Sequence, residues 1–391
     1  GLAPRGPARE IFLIFLRLGC FAFGGPIAHL GYYRESFVHR LKWLNESTYA
    51  DLIALCQFLP GPTSSQVCIS IGMARGGLFG GAAAWIGFTL PSAVLMTGFG
   101  LGVTALGDIT GSGWLHGLKL AAVAVVASAL WRMAQTLCPD RTRASLAVIA
   151  TVLVTLMPSA AGQMAAIALA GLAGLVLLRG RSRIEGQHDA LFPWLDRATG
   201  RVAFLLFLGL LAGLPLLVWL SGAPLLDHAD AFYRSGALVF GGGHVVLPLL
   251  QSEVVATGWL SADTFLAGYG TAQALPGPLF TLAAYLGGAM SGLAGAVICL
   301  VAIFLPGFLL LIAILPVWDG LRRHPPIRAA LLGVNAGVVG LLAAALYDPV
   351  WRTTVTAPID FAIAMTAFLL LMTWRVSPPL VVGLCALTGI V

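Results

Sequence analysis

Two arginines stand at equivalent places in two apolar stretches of the chain. Arg17 and Arg234 each lie six residues before a Phe-Gly-Gly tripeptide. A guanidinium group is always charged, and its forked donors match the geometry of a tetrahedral oxyanion. A charge at the centre of a membrane costs at least about 2.5 kcal/mol, so such side chains usually face a cavity or a partner. We therefore predict that both arginines bind an anion. The alternative is that each only reaches the membrane edge or a helix-end carbonyl.

A glycine-rich helix break follows each arginine. It comprises Gly24, Gly25 and Pro26 in the first half and Gly241, Gly242 and Gly243 in the second. Glycine permits positive φ and a close approach of the backbone, so N–H groups at these breaks could converge on a ligand. The alternative is close packing of small residues between membrane helices.

A second break, Pro-Gly-Pro, occurs at residues 60–62 and 276–278. Proline suits the first position of a helix, and the following N–H groups then point at the break. Together with the helix dipole they form an anion site, unless the break is a structural kink alone. The residues predicted to bind here are Gly61, Pro62, Thr63, Ser64, Ser65, Gly277, Pro278 and Thr281. The first copy has more hydroxyl donors, so we do not expect the two halves to bind equally.

Four further polar residues lie close to the breaks. Gln57 and Gln273 stand three residues before the two Pro-Gly-Pro breaks, and could donate to an oxyanion or cap freed carbonyls. His29 and His244 follow the glycine-rich breaks and could titrate near neutral pH, although a satisfied interfacial histidine is the alternative. No catalytic triad, metal motif or phosphate loop is present, so we expect no enzyme activity, cofactor or metal.

These features belong to an internal repeat. Residues 15–25 and 232–242 share six of eleven positions, and residues 43–62 and 259–278 share eight of twenty. We predict a first transporter repeat at 1–178, a basic cytoplasmic linker at 179–201, an unmatched membrane helix at 202–220 and a second repeat at 221–391. A single extra span turns the second repeat over, and inverted repeats place a substrate site where they meet near the membrane midplane.

Composition sets the class of protein. Of 391 residues, 59% are hydrophobic and only 10% are charged, against about a quarter in soluble domains. We therefore predict an all-α integral membrane protein made of two homologous halves, an inverted repeat with broken or re-entrant half-helices. The segment Ile11–Phe23 is too short to cross a membrane, and re-entrant hairpins are favoured over broken spans.

The distribution of charge predicts the topology. Arg and Lys concentrate in short loops, which favours a topological role over nucleic-acid binding. With a cytoplasmic amino terminus, the loop of Arg141 and Arg143 falls inside, whereas Asp227 and Asp230 fall outside. Glu253 is expected at a solvated interface. The lipid bilayer is the predicted surrounding partner, and a homodimer is a further expectation.

The motifs together resemble a known family. The pattern FxRLGxxxFGGPxAH, then Trp-Leu and QxLPGP, repeated after a basic linker, resembles the two-domain form of the chromate ion transporter family. The resemblance runs from about Phe12 to the last span. It implies export of chromate, a sulfate mimic, from the cytoplasm across a bacterial inner membrane, driven by the electrochemical gradient. The second half has Gly-Gly-Gly-His where the first has Gly-Gly-Pro, so roles cannot be copied between halves.

Two other functions remain open at this point. A transporter of sulfate or another anion, or a cation-coupled symporter, could use the same broken-helix plan, although few acidic residues lie near the breaks. A scaffold, or an enzyme acting on lipids, would not need a dedicated charge at the membrane midplane.

Overall fold

The computed structural model describes residues 6–23, 25–105, 113–157, 159–179, 192, 194–239, 245–318 and 324–388, and these are helical or in short connections. The first helices are α1 (Ala8–Phe21), α2 (Gly25–Tyr33), α3 (Glu46–Phe58), α4 (Thr63–Ala105), α5 (Gly113–Leu137), α6 (Arg141–Leu156) and α7 (Ala160–Leu177). A long helix follows, α8 (Arg197–Ser221). The last helices are α9 (Pro224–Leu238), α10 (Val246–Val254), α11 (Ala262–Ala274), α12 (Leu282–Ile314), α13 (Pro325–Ala345), α14 (Pro358–Met372) and α15 (Pro378–Thr388).

The order of elements repeats. Helices α1–α7 correspond in order to α9–α15, and α8 stands between the two sets without a counterpart. Helix α8 has 25 residues, and most of its side chains are not buried against the rest of the chain. At about 1.5 Å per residue it is long enough to span a bilayer, so its apolar faces suit contact with lipid.

The longest helices, α4 and α12, are hairpins. The helical geometry of α4 breaks at Gly76 and Gly77, and that of α12 breaks at Ser291 and Gly292. Gly77 and Gly292 adopt φ of +66° and +63°, which suits a residue without a side chain. In each hairpin the two limbs turn back on each other so closely that Gly72 faces Gly80 and Gly287 faces Gly295.

The helix breaks form hairpins as well. Phe15 of α1 stacks on Phe37, with ring centroids 4.8 Å apart, so the chain reverses at the first glycine-rich break. Cys56 Sγ of α3 lies 3.9 Å from Ser70 Oγ of α4, so the chain reverses again at Pro60-Gly61-Pro62. A straight continuation would separate residues 14 positions apart by about 20 Å. The favoured interpretation as hairpins agrees with these contacts.

The two hairpin tips lie at opposite ends of the molecule. From Gly77 the second limb of α4 extends to Gly100, about 35 Å away at the usual helical rise. There Gly100 lies beside Gly288, three residues before the turn of α12 at Ser291, and Phe99 stacks on Tyr285 with centroids 5.4 Å apart. Because about 30 Å of hydrocarbon separates the faces of a bilayer, the repeats run in opposite directions, as predicted for an inverted pair.

The remaining helices interlock the halves. Helix α5 of the first half packs against α11, α14 and α15 of the second, whereas α13 of the second half packs against α6 and α7 of the first. An ion pair and a hydrogen bond reinforce the first contact: Lys119 Nζ lies 2.9 Å from Asp263 Oδ1, and His116 Nε2 lies 2.7 Å from Asp360 Oδ1. Each half therefore completes its core with helices of the other.

Within the part of the chain that the structure describes, five stretches are long and apolar enough to cross a membrane: Thr63–Val103, His116–Leu137, Arg197–Ser221, Leu279–Val317 and Pro325–Asp348. The first and fourth contain the hairpin turns, so each supplies one long limb and one half-length limb.

Candidate functional site

The two kinds of helix break meet across the halves. The N–H of Gly61 donates to the carbonyl of Val239 at 2.6 Å, and the N–H of Gly277 donates to the carbonyl of Ala22 at 3.0 Å. Ala22 and Val239 directly precede the two Phe-Gly-Gly tripeptides. Each Pro-Gly-Pro break is therefore held against the residue that precedes the Phe-Gly-Gly tripeptide of the opposite repeat, so irregular backbone of the two halves meets there.

The long limbs of α4 and α12 pack against the two Pro-Gly-Pro breaks. A methyl group on Gly61 would lie 3.1 Å from Gly307 Cα, and one on Gly277 would lie 2.6 Å from Ser92 Oγ. Gly307 and Ser92 each follow a proline within a long limb, Pro306 and Pro91. Gly61 and Gly277 also adopt φ of +124° and +112°, where a side chain would be strained. Glycine is required at both positions for two independent reasons.

Gln66 fixes the first Pro-Gly-Pro break. Its Nε2 donates to the carbonyl of Pro60 at 2.8 Å and to that of Gly307, in the other half, at 3.3 Å. Sequence reasoning missed this residue because a glutamine inside a helix gives no signal of its partner.

His29 joins the two breaks of the first half. Its buried ring places Nε2 3.1 Å from the carbonyl of Ala22 and Nδ1 3.4 Å from Ser64 Oγ, and the ring lies nearly perpendicular to that of Phe88. A carbonyl only accepts, so Nε2 carries the proton and Nδ1 accepts from the serine hydroxyl. Both ring nitrogens are occupied, which favours the structural alternative for this histidine.

The other hydroxyl residues at the helix starts are buried. Thr63 Oγ1 donates to the carbonyl of Cys56 at 3.4 Å, and Thr281 Oγ1 donates to that of Pro278 at 2.9 Å. Ser65 Oγ is buried without a hydrogen-bond partner among the described residues. It therefore keeps a donor free beside the break, and Pro62 lies buried next to it.

The remaining predicted residues divide into three groups. Gln57 is exposed, whereas Gln273 is half-buried with its Nε2 unpartnered among the described residues. Gly25, with φ of +73°, faces open space, and Pro26 is half-buried beside it. The predicted residues that lie outside the described residues are Gly24, Gly241, Gly242, Gly243 and His244.

Arg234 differs from the prediction of an anion clamp. Its Nε lies 2.9 Å from Asp230 Oδ2, and its two terminal nitrogens lie 3.0 and 3.3 Å from the two oxygens of Glu253. Both carboxylates are largely buried, with side-chain exposures of 7% and 13%. The expectations that Asp230 lies in an outer loop and that Glu253 is solvated are therefore wrong. Asp230 lies one turn before Arg234 on α9, and the return of the chain through α10 brings Glu253 onto the arginine.

Arg17 has a different environment. It is exposed and lines a groove of about 250 Å³ together with Ala22, Tyr32, Ser36 and Arg40. Among the described residues, no carboxylate lies within 4.0 Å of either arginine of this groove. The groove thus holds two cationic side chains and two hydroxyl groups, and it reaches the first glycine-rich break at Ala22.

These features define a class of protein. Inverted repeats whose interrupted helices meet at the centre of a helical membrane protein are the architecture of a transporter. Among the described residues, no group of three His, Cys, Asp or Glu side chains could hold a metal ion, and the six cysteines are free.

The chain belongs to the chromate transporter family, whose model matches residues 9–175 and 226–390. The two matched regions confirm the prediction of two homologous halves. The chain is 27% identical over 400 residues to the chromate transport protein of Cupriavidus metallidurans, covering all of this chain and 94% of that protein. It is 28% identical over 367 residues to the chromate transport protein of Pseudomonas aeruginosa, covering 92% and 85%.

Another relative matches less than half of the chain. The uncharacterized transporter YwrB of Bacillus subtilis is 35% identical over 170 residues, which are 41% of this chain and 83% of that protein. No solved structure matches this chain.

Proposed function

We propose that this protein exports chromate from the cytoplasm, with the substrate passing the central region where the helix breaks meet. The observation that carries the proposal is the groove of Arg17 and Arg40, two cations that have no carboxylate partner among the described residues and lie beside the first break. Fixed guanidinium groups suit a tetrahedral dianion. The names of the relatives from Cupriavidus metallidurans and Pseudomonas aeruginosa supply chromate as the anion.

The direction follows from the electric field. When a dianion leaves a cell that is negative inside, its free energy falls by about 2.3 kcal/mol per charge per 100 mV, which is about 4.6 kcal/mol for two charges at 100 mV. At about 1.4 kcal/mol per factor of ten, this free energy corresponds to a ratio of more than a thousandfold between the concentrations outside and inside the cell. Export driven by the potential therefore needs no coupled ion. A cytoplasmic amino terminus, in a bacterial inner membrane, places the groove of Arg17 on the loading side of the break.

The competing functions fit less well. A cation-coupled symporter needs acidic or carbonyl ligands free to bind a cation, but Asp230 and Glu253 are engaged by Arg234. Enzyme activity has no support in the arrangement of the described side chains. Sulfate has the same shape and charge as chromate, and we expect it to compete for the same site.

A tolerance assay tests the proposal. Cells that express the wild-type protein should grow at chromate concentrations that stop cells carrying an empty vector. The variant Arg17→Ala should lose this protection while reaching the membrane in equal amount, because the groove loses a cation. The proposal fails if wild-type expression gives no protection, or if Arg17→Ala protects as well as the wild type.

A further inference from the structure

The two repeats treat their equivalent arginines in opposite ways. Arg17 and Arg234 occupy matching positions, 217 residues apart. Arg234 is held by two carboxylates of its own repeat, whereas Arg17 opens into the groove. The partners of Arg234 have counterparts in the first repeat that explain this difference.

The counterpart of Glu253 is Ser36. The carbonyl of Phe37 accepts from the N–H groups of Trp43 and Leu44, and the carbonyl of Val254 accepts in the same way from those of Trp259 and Leu260. Phe37 and Val254 are therefore equivalent, at the same separation of 217 residues as the arginines. The residues directly before them, Ser36 and Glu253, are equivalent as well.

Both positions face their arginine. Glu253 forms a two-pronged ion pair with Arg234, and Ser36 lines the groove of Arg17. The second acid, Asp230, corresponds to Leu13, which carries no charge. Where the second repeat supplies two carboxylates, the first supplies a small hydroxyl side chain and an apolar one. The first repeat thus keeps the arginine and omits its anions.

We propose that the groove between Arg17, Ser36 and Arg40 is the site where a tetrahedral oxyanion binds, in the place that the Glu253 carboxylate fills in the second repeat. The proposal rests on the proposed function and identifies the loading site within it. The Glu253 carboxylate shows that a forked oxyanion fits this position of the hairpin. The replacement of glutamate by serine frees the space, and Arg40 adds a second charge for a dianion.

The groove has the size and chemistry for this ligand. A water molecule takes about 30 Å³ of liquid, so the groove of about 250 Å³ holds a tetrahedral oxyanion with part of its hydration shell. Ser36 and Tyr32 add hydroxyl donors beside the guanidinium groups. Because the repeats are inverted, the acid-filled site of Arg234 lies on the opposite side of the central breaks. Its excess negative charge disfavours rebinding of an anion from that side.

The test introduces at Ser36 the glutamate that the second repeat has at Glu253. In Ser36→Glu the new carboxylate should pair with Arg17 and fill the space proposed for the oxyanion. Equilibrium binding of radiolabelled sulfate and of chromate to purified full-length protein in detergent should weaken at least tenfold. Ser36→Gln has nearly the same bulk without the charge, and should weaken binding much less. Ser377→Glu adds the same charge at an exposed position outside the groove and should bind as the wild type does.

Three results would overturn the inference. Ser36→Glu that binds sulfate and chromate with wild-type affinity would show that the groove is not the site. An equal loss in Ser36→Gln would show that bulk, and not the carboxylate, blocks binding. A short-chain anionic phospholipid that binds when the two free oxyanions do not would assign the groove to lipid phosphate instead. Failure of the proposed function is separate, since it appears as wild-type protein that binds an oxyanion but gives no chromate tolerance.

Discussion

Single residues explain why the two halves cannot act alike. Arg17 and Arg234 are identical in type and position, yet the first faces an open groove and the second is neutralised by Asp230 and Glu253. A buried carboxylate that loses its cationic partner keeps an uncompensated charge away from water. The arginine of the second half therefore has a structural task that the arginine of the first half lacks.

The structural task of Arg234 predicts a large loss of stability when it is replaced. Arg234→Gln leaves two largely buried carboxylates without a cation, and should lower the stability by about 3 kcal/mol or more. The loss would appear as a clear fall in the melting temperature of the purified protein. Arg352→Gln is the matched control, because Arg352 pairs with Asp348 at 2.7 Å but both side chains are more than half exposed. Exposed pairs contribute up to about 1 kcal/mol, so equal falls in the two variants would contradict the account.

The elements show what could be predicted from the sequence. The repeat and the short half-helices follow from identical motifs and from apolar stretches too short to cross a membrane, whereas the turns at Gly77 and Gly292 lie outside those motifs. The pairing of each Pro-Gly-Pro break with the opposite repeat could not be predicted, since Gly61 and Val239 are far apart in sequence and bond through the backbone. The pairing of Glu253 with Arg234 was missed for a related reason. Glu253 reaches it only because the hairpin of α9 and α10 folds back across 19 residues.

The hairpin tips provide a test at the scale of elements. Leu78 and Leu293 are exposed and directly follow the two turns. If the repeats are inverted, Leu78→Cys and Leu293→Cys should react with a membrane-impermeant maleimide from opposite sides. The labelling is done on right-side-out and everted vesicles, in a background without the native cysteines. Labelling of both positions from the same side would exclude an inverted arrangement.

The whole molecule combines two interlocked repeats with a charge asymmetry across its centre. The exchange of α5 and α13 between the halves ties the outer helices together, and the backbone bonds of Gly61 and Gly277 tie the inner breaks together. In the proposed mechanism, the groove of Arg17 attracts an anion on one side of this centre, and the carboxylates around Arg234 repel it on the other. An anion that crosses under the membrane potential would therefore bind on one side and be released on the other.

Transport of chromate into everted membrane vesicles tests the central claim most directly. The interior of such vesicles corresponds to the outside of the cell, so an interior-positive potential drives a dianion inward. The account predicts that wild-type vesicles accumulate chromate when this potential is imposed without a pH gradient, and that vesicles carrying Arg17→Ala do not. Uptake that requires a pH gradient and ignores the potential, or equal uptake by Arg17→Ala, would contradict it.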